Sequence, residues 1–77
     1  MVKFTFSDRN RTVRCLTVME EINTIFNEDL FHMSFTDSFS LLWSKYPKLK
    51  YKNKDYILRE TSFNDSKPFI VVKYYRI

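Results

Sequence analysis

The chain of 77 residues has no glycine, no alanine and no glutamine, and only one cysteine, one histidine and two prolines. Without glycine it cannot build a phosphate-cradling loop of the Walker or dinucleotide type. Any turn that needs a positive φ is expected to fall on Asn or Asp, the residues that tolerate that region next best. The lone Cys15 has no partner for an intramolecular disulfide, which fits a reducing cytosol. The longest apolar run, Phe69 to Val72, is far too short to cross a bilayer, and the opening Met1 to Phe6 lacks the continuous apolar stretch of a secretory signal. These absences predict a cytoplasmic protein with no membrane partner. The missing Gly and Ala also match the output of an AT-rich coding sequence, as many bacteriophages and low-GC bacteria carry, which adds a viral origin to the expectations.

What the chain does contain is apolar and aromatic mass: 44% hydrophobic and 18% aromatic residues, too much for a disordered polymer. At this length the expectation is a single domain over 1–77, burying roughly 60% of its unfolded surface in one core. Val2, Phe4 and Phe6 alternate with Lys3, Thr5 and Ser7, the period of a half-buried strand, and Asp8, Arg9 and Asn10 supply a turn into a second strand over 12–16. Thr17 and Glu20 have capping-box spacing ahead of an amphipathic helix with Val18, Met19, Ile22, Ile25 and Phe26 on one arc, ending near Glu28. Ser34 and Asp37 open a second helix, whose stripe of Phe35, Phe39, Leu42, Trp43 and Tyr46 reads as core and which Pro47 ends. From Leu49 the period returns to 2, predicting a hairpin that turns at Asn53 and Lys54, then a polar loop over 62–68 and a fifth strand over 69–77. The order β-β-α-α-β-β-β predicts an α+β two-layer sandwich, an antiparallel sheet of about five strands with two short helices on one face. The terminal strand is expected at an edge, where a copy of the chain could pair with it and form a homodimer.

Charge is unevenly distributed. Residues 15–44 hold Glu20, Glu21, Glu28, Asp29 and Asp37 without a single Lys or Arg, while the rest of the chain holds all 13 cations against four carboxylates. If strand alternation sends the apolar residues, Val13 and Cys15 among them, toward the helices, the outer sheet face displays Arg14, Lys48, Lys50, Lys52, Arg59, Lys73 and Tyr75. Lysines that neutralise phosphates beside tyrosines that stack on bases suit a nucleic-acid partner. A solubilising lysine face that blocks edge-to-edge pairing accounts for the same residues without any partner. The acidic helices offer an alternative: Glu20, Glu21, Glu28 and Asp29, with the hydrophobic connection Leu30 and Phe31, could dock on a nucleic-acid-binding host protein and inhibit it.

Signals for catalysis are weak. His32, with Glu28 four residues before it, and Cys15 fall short of the three or four ligands that zinc requires. Ser and Thr hydroxyls have only His32 as a base, and Cys15 is expected to face inward. The expectation is a small non-enzymatic regulatory or binding protein with no cofactor, no metal and no catalytic residues, acting on nucleic acid or a nucleic-acid complex.

Overall fold

A computed structural model describes residues 2–64 and 69–77, without the side chains of Phe31, Asn64 and Phe69. It contains β1 (Val2–Asp8), β2 (Arg11–Leu16), α1 (Met19–Phe26), a single 3-10 turn (Leu30–His32), α2 (Phe35–Lys45), β3 (Lys48–Tyr51), β4 (Lys54–Asn64) and β5 (Phe69–Arg76). The α+β class and the β-β-α-α-β-β-β order are those that the patterning predicts. Part of the expected loop over 62–68 belongs to β4; residues 65–68 lie outside the described residues.

The five strands lie in the order β2-β1-β5-β4-β3. Three neighbouring pairs are antiparallel, but β1 and β5 run parallel, from Val2 opposite Ile70 to Ser7 opposite Tyr75. The sheet is therefore mixed rather than antiparallel throughout, and the reason is the path of the chain. After β2 the helices carry it from one sheet edge to the other, the β3–β4 hairpin runs back toward the middle, and β5 fills the gap beside β1 in the same direction. This corrects the expected edge position of the terminal strand. Both sides of β5 are hydrogen-bonded, to β1 and β4, so a copy of the chain has no free β5 edge to pair with.

The helices cover one face. Phe26 of α1 packs on Phe4 and Tyr74, and Phe35 and Trp43 of α2 reach Phe63 and Thr61 of β4. Between the layers Phe6 stacks on Tyr51 at 4.4 Å and on Tyr74 at 5.5 Å, with Tyr56 edge-on at 5.1 Å. A core built from rings follows from a composition that offers no Ala or Gly to fill small gaps. The α2 stripe is only partly core. Leu42 is buried and Phe39 and Tyr46 half-buried, but Phe35 and Trp43 keep 46% and 45% of their surface exposed because they lie over the margin of β4 rather than the sheet centre.

Two bulges change which way side chains point. In β2, Arg14 pairs with Phe6 and Thr12 with Ser7, so Val13 is an extra residue and the strand slips by one. Leu16 and Arg14 then share the helix side with Phe4 and Phe6, while Cys15 pairs with the outward Thr5 and is exposed. In β4 the extra residue is Arg59, between Leu58 opposite Tyr74 and Glu60 opposite Lys73. The helix caps differ as well. Ser34 accepts a hydrogen bond from the Asp37 amide at 3.1 Å as its spacing predicts, but α1 begins after Val18, with no side-chain cap, rather than after Thr17. Positive φ occurs at Arg9, Asn27, Lys52 and Asn53. Two of these are basic residues rather than Asn or Asp, and Lys52 with Asn53 forms the two-residue hairpin loop that requires positive φ at both positions.

Candidate functional site

Two groups of cations among the described residues differ in what stands opposite them. Beside the helices, Arg14 and Lys45 are neutralised. Arg14 donates to Glu21 at 2.9 Å, and Lys45 to Glu28 at 2.6 Å, where the Tyr46 hydroxyl also donates at 3.3 Å. The hydrogen bond from Lys45 holds the Glu28 carboxyl below its ordinary range against the opposing effect of burial, and Glu28 in turn raises the Lys45 ammonium. Arg14 is likewise raised, first by its hydrogen bond to Glu21. Arg14 is thus corrected from the outer face to the helix layer, because the β2 bulge turns it over.

The second population gathers where both hairpin turns meet the end of β5. Since β1 and β5 are parallel and β4 runs opposite to β5, the β1–β2 turn, the β3–β4 turn and the last residues of β5 lie at one end of the sheet. An open cleft of about 810 Å³ there is lined by Asp8, Arg9, Asn10, Arg11, Val13, Arg76 and Ile77. Next to it a second cleft of about 400 Å³ is lined by Lys48, Asn53, Lys54, Asp55, Arg76 and Ile77. Arg76 and Ile77 belong to both, so the two form one continuous basic margin. Among the described residues its acidic side chains are Asp8, 3.6 Å from Arg76, and Asp55, opposite Lys50 in the β3–β4 ladder. Among the described residues, Arg9, Arg11, Lys48, Lys50, Lys52 and Lys54 have no carboxylate within salt-bridge distance.

The residues singled out in the sequence are distributed accordingly. Lys48 and Lys50 alternate with the inward Leu49 and Tyr51, which places them on the outer face of β3. Lys73 and Tyr75 occupy the outer face of β5, with Lys73 held 3.3 Å from Glu60. Lys52 sits in the hairpin loop, its ammonium 5.5 Å from the centre of the Tyr51 ring, and Arg59 is the exposed bulge residue of β4. Arg9, Arg11, Lys54 and Arg76 join the basic margin without having been singled out. The local signal, basic residues in or beside both turns, was present, but only the parallel β1–β5 pairing shows that the turns converge.

The acidic docking surface is less available than the sequence suggests. Glu21 and Glu28 are taken up by Arg14 and Lys45, Asp29 faces His32 across an exposed hydrogen bond, and Glu20 is exposed. Leu30 is a core residue at 3% exposure and cannot serve as an exposed docking knob; the Phe31 side chain lies outside the described residues. Among the described residues no three His, Cys, Asp or Glu side chains gather where a metal ion could be held, and no helix is long and apolar enough to cross a membrane. Compared with protein-family models, curated proteins and solved structures, the chain matches none of them.

Proposed function

We propose that this protein is a small non-enzymatic binding module for a polyanionic macromolecule, foremost nucleic acid, engaged through the basic margin and the adjoining outer sheet face. The observation behind this proposal is the convergence of Arg9, Arg11, Arg76, Lys48 and Lys54 on two adjoining clefts whose lining, among the described residues, includes two acidic side chains, Asp8 and Asp55. Guanidinium groups suit phosphate because their planar fork donates two parallel hydrogen bonds. The helix layer carries neutralised cations and is the poorer surface for a polyanion. Anisotropy titrations with labelled oligonucleotides across a salt series test the proposal. Binding should weaken by roughly 10³-fold or more between low and moderate salt if six or more phosphates are contacted. Absence of binding at the lowest salt would defeat it.

A second proposal, inhibition of a protein partner, is supported by Phe35, Trp43 and Phe63 rather than by the acidic helices. These three rings keep 46%, 45% and 43% of their surface exposed along one margin of the domain. Phe63→Ser and Trp43→Ala should abolish capture of a nuclease-resistant protein partner, and retained capture would exclude that surface.

A further inference from the structure

We infer that the outer face takes single-stranded rather than duplex nucleic acid, seating one nucleotide in a trough between β2, β1 and β5; this rests on the polyanion-binding proposal above. The trough comes from an anomaly of burial. Thr5 and Ser7 point away from the helices, onto a face that the second layer leaves uncovered, and yet are only 7% and 8% exposed. Both are small, they sit in the second strand of five, and the longer side chains of Lys73 and Tyr75 stand beside them on β5. Ser7 pairs with Thr12 on one side and Tyr75 on the other, Thr5 pairs with Lys73, and Lys3 lies two residues along β1. Together with Val71 they line a depression of about 350 Å³ that brings together the hydroxyls of Thr5, Ser7 and Thr12, the ammonium groups of Lys3 and Lys73, and the Tyr75 ring.

Those three chemistries are what one nucleotide presents to a protein: phosphate for Lys3 and Lys73, sugar oxygen and base edge for Thr5, Ser7 and Thr12, and a base π-face for the Tyr75 ring. The Lys73–Glu60 pair, 3.3 Å apart and solvent-exposed on both sides, is a weak contact that a phosphate can displace. Duplex fits badly. Four interstrand spacings make the sheet about 19 Å wide, whereas the B-form major groove admits only about 12 Å. Paired and stacked bases would also keep their faces out of reach of Tyr75.

The experiment uses the full chain, a labelled mixed-sequence 12-mer DNA strand, the same strand as duplex, and heparin as a base-free polyanion. The single strand should bind at least tenfold tighter than the duplex. Tyr75→Ala should weaken it by roughly 5- to 100-fold without changing the salt slope, because the ring carries no charge, and Tyr75→Phe should retain affinity. Since Tyr75 is half-buried, Tyr75→Trp in a Trp43→Phe background gives a readout independent of folding losses: the emission at position 75 should be quenched by the single strand and not by the duplex. Equal affinity for strand and duplex, or an unquenched Trp at position 75 in the bound state, would overturn the inference while leaving the polyanion proposal standing. Failure of heparin and both DNA forms to bind would defeat that proposal itself, and binding of heparin alone would overturn the nucleotide site in favour of a base-free polyanion.

Discussion

The helix-covered part of the sheet handles charge and packing differently from the hairpin end and the outer face. On the helix side Arg14 and Lys45 each face a carboxylate, and the rings of Phe6, Phe26 and Tyr74 pack into one cluster. At the hairpin end and on the outer face, by contrast, cations outnumber carboxylates and the central side chains are short hydroxyls. Like charges held on neighbouring strands repel, so such a surface costs stability unless an anion joins it. The protein therefore separates what holds it together from what it offers to a partner, and substitutions on the two sides should have separable effects.

The largest effect is expected from Phe6→Ala, which empties the centre of the aromatic cluster and should cost about 3–5 kcal/mol. A domain of this size has only about 4–12 kcal/mol in total, so the urea midpoint should fall sharply. Lys50→Ala on the outer face should stay within about 0.5 kcal/mol; a comparable loss there would show that stability is not confined to the helix side. Next comes binding. Arg9→Ala with Arg11→Ala should weaken polyanion binding roughly tenfold and lower the salt slope by about 2, whereas Arg14→Ala with Lys45→Ala should leave the slope unchanged. If both pairs behave alike, the two charge populations do not differ functionally.

Tyr74 sharpens the comparison from within the core. Its hydroxyl donates to the Tyr46 carbonyl at 2.9 Å, and burial pushes the phenol well above its ordinary value of 10.0. Because the folded state holds the proton more tightly than the unfolded chain, this contribution is complete below pH 10.0 and is lost as pH rises beyond it. Tyr74→Phe should cost about 1 kcal/mol near neutrality and flatten the alkaline limb of a stability profile. An equally steep limb in that variant would assign the loss to other groups. The only gain is expected at Lys52. Its φ of 49° strains a residue with a Cβ, and Lys52→Gly should recover about 1 kcal/mol while slightly weakening polyanion binding. Chemical denaturation and a salt series on the same variant would show opposite signs, which a purely structural Lys52 would not.

Most of the fold was legible in local pattern. The alternation of Val2, Phe4 and Phe6, the Ser34 cap and the stop at Pro47 each act over a few residues, and each appears where expected. Position 14 shows the limit. A one-residue bulge at Val13 is invisible to a period-2 count, because nothing in Arg-Thr-Val-Arg-Cys-Leu marks which residue will be left unpaired. Leu30 likewise reads as either knob or core until the sheet end beneath it is known. Of the candidate site, Lys48, Lys50, Lys73 and Tyr75 could be placed on the outer face by alternation alone, whereas Arg76 could not be joined to Arg9 and Arg11.

By itself the sequence determined the element types, their order and the segregation of carboxylates into the helical stretch, since these depend on periodicity, capping and composition within a few residues of each other. Tertiary structure alone decided that β5 lies beside β1, that both basic turns therefore share one end of the sheet, and that Arg14 turns toward an acid while Cys15 turns away. Those outcomes are set by which strand edges meet and by where a ladder slips to fit its neighbour, interactions between segments separated by dozens of residues that no local pattern records.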